Sequence, residues 1–202
     1  MSKIAVQIEA SCSFADYFKL NYETEDVVNY FGYSYRTDVL KLAKDWRELD
    51  RLPNLEMRIR ESVPYISLNN ELARRELLIA PVVIDLLHYT HAKLRIGYGL
   101  KASEQLRGEL DYYLEAQNSL LVVEAKNADL QKGFTQLATQ LIAVDKLVGS
   151  DAKLFGAIST GNVWQFGFLN RIDKEIVQDF NLYRVPADLE ELLRISIAML
   201  VA

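Results

Sequence analysis

Residues 120–123 read Leu-Leu-Val-Val, an unbroken apolar run followed at once by Glu124, Ala125 and Lys126. A strand alternates its side chains between two faces, so it is apolar at every position only when both faces are covered. The run therefore predicts a central strand buried on both sides. The segments AKLRIGYGL and GELDYYLEA before it read as further strands, and LQKGFTQLATQLIAVDKLVG after it reads as a helix. In that helix Phe134, Leu137, Leu141, Val144 and Val148 share one face, and Gly149 is a stop signal. Two more strands, KLFGAIS and VWQFGFL, meet at a turn around Thr160-Gly161-Asn162, and Trp164, Phe166 and Phe168 alternate along the second. ADLEELLRISIAML predicts a closing helix.

Upstream, Asn69-Asn70 are caps for a helix over ELARRELLIAPVVIDLLHY, with a kink or break expected at Pro81. Residues 14–66 have a helical texture. Thr24, Val27, Val28, Tyr30 and Phe31 predict a short capped helix ending near Gly32, and Leu40, Leu42, Trp46, Leu49 and Leu52 predict a second, amphipathic one. The expected fold class is α/β (α+β): a mixed central sheet flanked by helices over residues 67–202, with residues 1–66 as a helical N-terminal extension. No repeat, low-complexity tract or Gly/Ser-rich linker interrupts this order.

The chemistry concentrates in RGELDYYLEAQNSLLVVEAKN. A hairpin centred on Gln117-Asn118 pairs residues whose numbers sum to 235, which sets Asp111 opposite Glu124 with Cβ atoms about 5 Å apart. Lys126 projects from the same face as Glu124. Two like charges facing each other on a sheet destabilise it, and partly buried carboxylates resist ionisation. A divalent cation removes the conflict, because Mg²⁺ accepts one or two carboxylates plus further oxygens such as the Ala125 backbone carbonyl. Such an ion lowers the pKa of a bound water and polarises a phosphoryl oxygen, and Lys126 can orient that water or stabilise the charge that develops. The plainer alternative is a hairpin end in water, where Lys126 merely neutralises Glu124.

Charge and composition bound the partners. The chain has 202 residues, with 28 acidic against 23 basic side chains and a net charge of −5. That balance excludes a protein that coats nucleic acid non-specifically, and leaves room for local contacts. A single cysteine, Cys12, excludes an internal disulfide framework and fits a reducing, cytoplasmic setting. No apolar run spans a membrane, and MSKIAVQIEAS shows neither a secretory apolar core nor an Arg-rich transit pattern. His88 and His91 lack further ligands at a recognisable spacing, and Cys12 has no paired His signature. Arg74 and Arg75 read as a salt-bridged helix face, while Arg95, Lys101 and Arg107 flank the acids and suit either backbone contacts or strand-edge solubility.

At the acid-lysine residues the sequence resembles the PD-(D/E)XK nuclease superfamily. Within it, the resemblance is strongest to the N-terminal nuclease domain of type I restriction enzyme R subunits, and it covers residues 69–170, about half of the chain. The signature falls on Asp111, Glu124 and Lys126. The leading-helix glutamate falls on Glu71, ahead of Arg75 and Ile79-Ala80-Pro81, with Glu76 a less favoured candidate. A Gly-Xaa-Xaa-Gln falls on Gly133 and Gln136, and ISTGNVWQF resembles the later strand-turn-strand. A tyrosine of that helix is replaced by Gln140, and Leu110 stands where a proline often precedes the first acid. The resemblance implies a restriction endonuclease-like fold acting on DNA with Mg²⁺ or Mn²⁺. It gives Asp111 and Glu124 as metal ligands, and Lys126, Glu71 and Gln136 as further site residues. A homodimer is compatible with the chain. No Gly-Xaa4-Gly-Lys-Ser/Thr phosphate loop is present, so no intrinsic ATPase motor is expected.

Overall fold

The computed structural model describes residues 6–116, 119–126, 129–148 and 153–201. Short helices α1 (Phe14–Tyr17) and α2 (Thr24–Tyr30) lead into strand β1 (Ser34–Asp38) and helix α3 (Leu52–Ser62). A contiguous helical stretch follows: α4 (Glu71–Arg74), a π-turn (Arg75–Ile79) and α5 (Ala80–Thr90). Next come strands β2 (Lys93–Lys101), β3 (Arg107–Glu115) and β4 (Ser119–Ala125), then helix α6 (Leu130–Leu147). Strands β5 (Lys153–Ser159), β6 (Val163–Asn170), β7 (Glu175–Asp179) and β8 (Tyr183–Arg184) precede helix α7 (Leu189–Val201).

The strands form one mixed sheet in the order β1-β7-β6-β5-β4-β3-β2, with β8 paired to β6. β4 runs parallel to β5, a pairing that needs a crossover, and α6 is that crossover. Every residue of β4 is buried, as the Leu-Leu-Val-Val run requires. Leu121, Val123 and Ala125 face a core shared with α3, α5 and α7, while Leu120 and Val122 face a second core built on α6. The β3–β4 ladder runs from Glu115↔Leu120 to Tyr112↔Val123, the register that a sum of 235 predicts. The turn residues Gln117-Asn118 and the stop signal Gly149 lie outside the described residues. No helix among the described residues is long and apolar enough to cross a membrane.

Helical backbone continues through Pro81, which falls in the first turn of α5 directly after the π-turn. This proline has no N–H for the Leu77 carbonyl, and the π-turn over Arg75–Ile79 takes up the irregularity just before it. The Asn70 side chain caps α4 by accepting from the Ala73 N–H at 2.7 Å. Thr24 opens α2 but is not its cap, because its hydroxyl is spent on Thr135 of α6 at 2.8 Å.

Residues 1–66 are not wholly helical. Ser34–Asp38 add the edge strand β1, pairing parallel with β7. The amphipathic helix expected across Leu40–Leu52 is absent, and helix begins only at Leu52, where Pro53 suits a first turn. The backbone of this stretch bonds to distant partners instead. The Leu40 N–H donates to Asp179, the Asp45 N–H to the Arg194 carbonyl, and the Arg194 guanidinium to the carbonyls of Asp45 and Arg47. Those bonds satisfy groups that a helix would otherwise pair internally. Phe14, Val28 and Tyr33 enter the core on α6, and Leu49, Leu55 and Ile59 enter the other.

Candidate metal and catalytic site

Glu124 stands at the C-terminal end of β4 with its side chain toward α6, and only 2% of it is exposed. Among the described residues, its carboxylate accepts three hydrogen bonds. Lys126 Nζ (2.7 Å) and Gln136 Nε2 (2.6 Å) meet Oε1, and Gln140 Nε2 (2.6 Å) meets Oε2. Burial pushes this carboxyl up to about 7, the charge of Asp111 adds to the effect, and Lys126 opposes it. Lys126 is itself 8% exposed and forms an ion pair with Glu124. Its N–H donates to the Ser159 carbonyl, which continues the β4–β5 pairing past Ala125.

Asp111 reaches the same strand end by a different contact from the one the pleat suggests. Leu110 and Tyr113 both pack into the α6-side core, whereas Tyr112 and Leu114 pack into the other, so strict alternation is interrupted at this point of β3. The ladder to β4 stops at Tyr112↔Val123, and Asp111 Oδ2 then accepts the Ala125 N–H at 2.9 Å. Its other oxygen lies 3.5 Å from the Arg75 guanidinium. The strand end therefore holds two carboxylates and a lysine, with an arginine from the π-turn.

Glu71 is exposed at the start of α4, and no hydrogen bond or ion pair joins it to Asp111, Glu124 or Lys126 among the described residues. Arg75, bonded to Glu76 at 3.3 Å as well as to Asp111, links Glu76 to the site instead. Arg74 donates to the carbonyls of Leu68 and Thr160 and so ties α4 to the β5–β6 turn. Gly133 has a packing reason. A Cβ there would lie 2.3 Å from Ile158 Cδ1 and 3.0 Å from Lys126 Cγ, so glycine is what lets α6 press onto β4 and β5.

Gln140 enters the sequence reading only as the replacement for a tyrosine, with no role of its own, yet it bonds Glu124 directly. A signal was present, because from Gly133 to Val144 the helix carries no charged side chain. A solvated helix face normally carries Lys or Glu, whereas Thr135, Gln136, Thr139 and Gln140 are all buried. Gln140→Met keeps the approximate shape and removes the donor to Glu124, so it is expected to lower stability by about 1–2 kcal/mol in urea unfolding. A variant as stable as the wild type would show that this bond contributes nothing.

Among the described residues, no group of three His, Cys, Asp or Glu side chains could hold a metal. The donor set here is smaller and made of oxygen alone: Asp111, Glu124 and the Ala125 carbonyl. Beside them, the side-chain carbonyl oxygens of Gln136 and Gln140 are buried and, among the described residues, have no hydrogen-bond partner. Two carboxylates completed by neutral oxygens and water suit a hard cation such as Mg²⁺. Binding one requires Glu124 to exchange at least one of its three present donors. No known protein family, curated protein or solved structure matches the chain.

Proposed function

We propose that the chain is a Mg²⁺-dependent nuclease-like enzyme that hydrolyses phosphodiester bonds in DNA, with a restriction endonuclease-like arrangement of sheet and helices. The observation that carries this reading is the convergence of Asp111, Glu124 and Lys126 at one end of β4, with Lys126 Nζ 2.7 Å from Glu124. The ion, when bound, supplies Lewis-acid polarisation of a phosphoryl oxygen. Asp111 and Glu124 hold it, with Mn²⁺ as a substitute, and the Ala125 carbonyl completes their set. Lys126, released from Glu124, stabilises the negative charge of the transition state. Gln136 and Gln140 fix the plane of the Glu124 carboxylate. Arg75, 3.5 Å from Asp111, offsets part of its charge.

A second reading has its own support: a nuclease-like scaffold that binds or assembles without cleaving. Both oxygens of Glu124 are already satisfied by Lys126, Gln136 and Gln140, and the net charge of −5 offers DNA no general attraction. Nuclease assays with Mg²⁺ or Mn²⁺ decide between the two. The enzyme reading expects cleavage by the wild type that is lost in Lys126→Ala and in Asp111→Asn. Cleavage that persists in both variants removes the site assignment. Calorimetry that detects no Mg²⁺ or Mn²⁺ binding, together with no cleavage, favours the binding module.

A further inference from the structure

Glu124 and Lys126 are too enclosed, at 2% and 8% exposure, for a phosphodiester of a polymer to reach them as the chain stands. What lies over Lys126 comes from the N-terminal segment. The Phe18 ring sits with its centroid 5.3 Å from Lys126 Nζ, in a cation–π contact that also covers the ammonium group.

The segment that carries Phe18 is fastened on both sides of the strand end. Before it, Phe14 is lodged against Gly108, whose φ of +140° and lack of a side chain make room: a Cβ there would lie 2.9 Å from the Phe14 ring. The Tyr17 hydroxyl donates to the Gln105 carbonyl at 2.7 Å, and the Cys12 N–H to the Glu104 carbonyl at 3.0 Å. After it, Thr24 of α2 holds Thr135 of α6. Between these anchors, residues 18–23 are held lightly: Leu20 and Tyr22 pack at the edge of a small cluster, the Tyr22 hydroxyl meets the Gln7 backbone at 3.4–3.5 Å, and exposed Lys19 pairs with Asp16. Lys19 and Leu20 make turn bonds back to Asp16 and Tyr17, and Phe18 itself is only half-buried. The same loop walls a cavity of about 300 Å³ against the first turns of α6, lined by Tyr22, Thr24, Gln131, Lys132 and Thr135. The buried cluster under it is small, consisting of Cys12, Tyr17 and Val27, and is separate from the two main cores. Few buried contacts and few backbone bonds are the marks of a segment that opens locally.

We propose that residues 18–23 are a gate, with Phe18 as the leaf that closes over Lys126, and that this loop swings away from fixed anchors at Phe14 and Thr24 to admit a ligand to the strand end. The identity of that ligand rests on the nuclease reading; the gate itself does not. Mass-spectrometric mapping of lysine acetylation, with exposed Lys93 and Lys174 outside the loop as internal standards, reads the gate directly. Phe18→Ala is expected to raise the Lys126 acetylation rate about tenfold, and Phe18→Leu, which keeps the bulk, by much less. An unchanged Lys126 rate in folded Phe18→Ala overturns the gate, and so does an equal rise in both variants. A measurement on the wild type needs no substitution. In sub-denaturing urea, Lys126 acetylation should rise together with amide exchange of residues 18–23 while the amides of α6 stay protected. Reactivity that appears only with global unfolding overturns the proposal. If Lys126 opens in Phe18→Ala and that variant still cleaves nothing, the gate stands and the nuclease reading falls.

Discussion

Gly167→Val is expected to cost about 3 kcal/mol or more of folding stability, read as a fall in the urea midpoint at unchanged slope. Gly167 lies in β6 between β5 and β7, on the side covered by α6. A Cβ there would stand 2.6 Å from Phe134 Cζ and 2.8 Å from the Val177 carbonyl oxygen. The ring can shift a little, but the carbonyl belongs to the β6–β7 pairing and cannot move without breaking it. Combining the change with Phe134→Leu should therefore recover only the part owed to the ring, and a double-mutant cycle separates the two parts. The consequence reaches the candidate site, because Phe134 is two residues from Gln136 on the same helix. A helix lifted off β6 also carries the amide donors away from Glu124. Wild-type stability in Gly167→Val would show that α6 is not seated on β6 as tightly as these distances require.

Stability should fall as pH rises from about 4.5 to about 7, by on the order of 3 kcal/mol from Glu124 alone. Burial raises this carboxyl from its ordinary 4.5 to about 7, with Asp111 adding to the shift and Lys126 opposing it. The folded chain thus holds a proton that the unfolded chain has already released across that window. The contribution is full below the unfolded value, is lost through the window, and is flat above it. Asp16 works in the opposite direction, since its bonds with Ser13 lower it from 3.8 to about 2, and its contribution is lost as pH falls from 3.8 to about 2. The two effects therefore separate on the pH axis. Urea unfolding at a series of pH values should show the slope in the wild type and its absence in Glu124→Gln. The same slope in both proteins would place its origin elsewhere.

The parts of the fold that the sequence disclosed are those where one physical pressure dominates. Burial on both faces wrote β4 as an unbroken apolar run, and a two-residue alternation wrote Trp164 and Phe166 of β6. The hairpin arithmetic gave the β3–β4 register as far as Tyr112↔Val123, while the expected Asp111–Glu124 pair is replaced by a bond from the Ala125 N–H to Asp111. What stayed hidden was built from polar residues paired at long range. Strand β7 reads Glu-Ile-Val-Gln-Asp, yet Gln178 and Asp179 are buried. Gln178 donates to Gln165, and Asp179 accepts from Leu40, Asn181 and Tyr183, partners that no local pattern announces. The leucine spacing over residues 40–52 was helical in period, but the backbone there is claimed by β7 and α7. In the candidate site, the buried strand made the positions of Glu124 and Lys126 legible, and the register brought Asp111 to the same strand end without pairing it to Glu124. Glu71 was chosen by resemblance alone, and the contacts run through Arg75 to Glu76 instead.

The π-turn over Arg75–Ile79 has a consequence for how such a chain tolerates change in length. One residue more or less in a helix rotates everything beyond it by about 100° around the axis. The reach of Arg75 to Asp111 on one side, and the packing of Val82, Val83 and Leu86 on the other, are thus phased to each other by this single widened turn. A one-residue deletion within it would yield a helix of ordinary pitch whose two halves point at the wrong neighbours. In this region, the count of residues carries as much information as their identity.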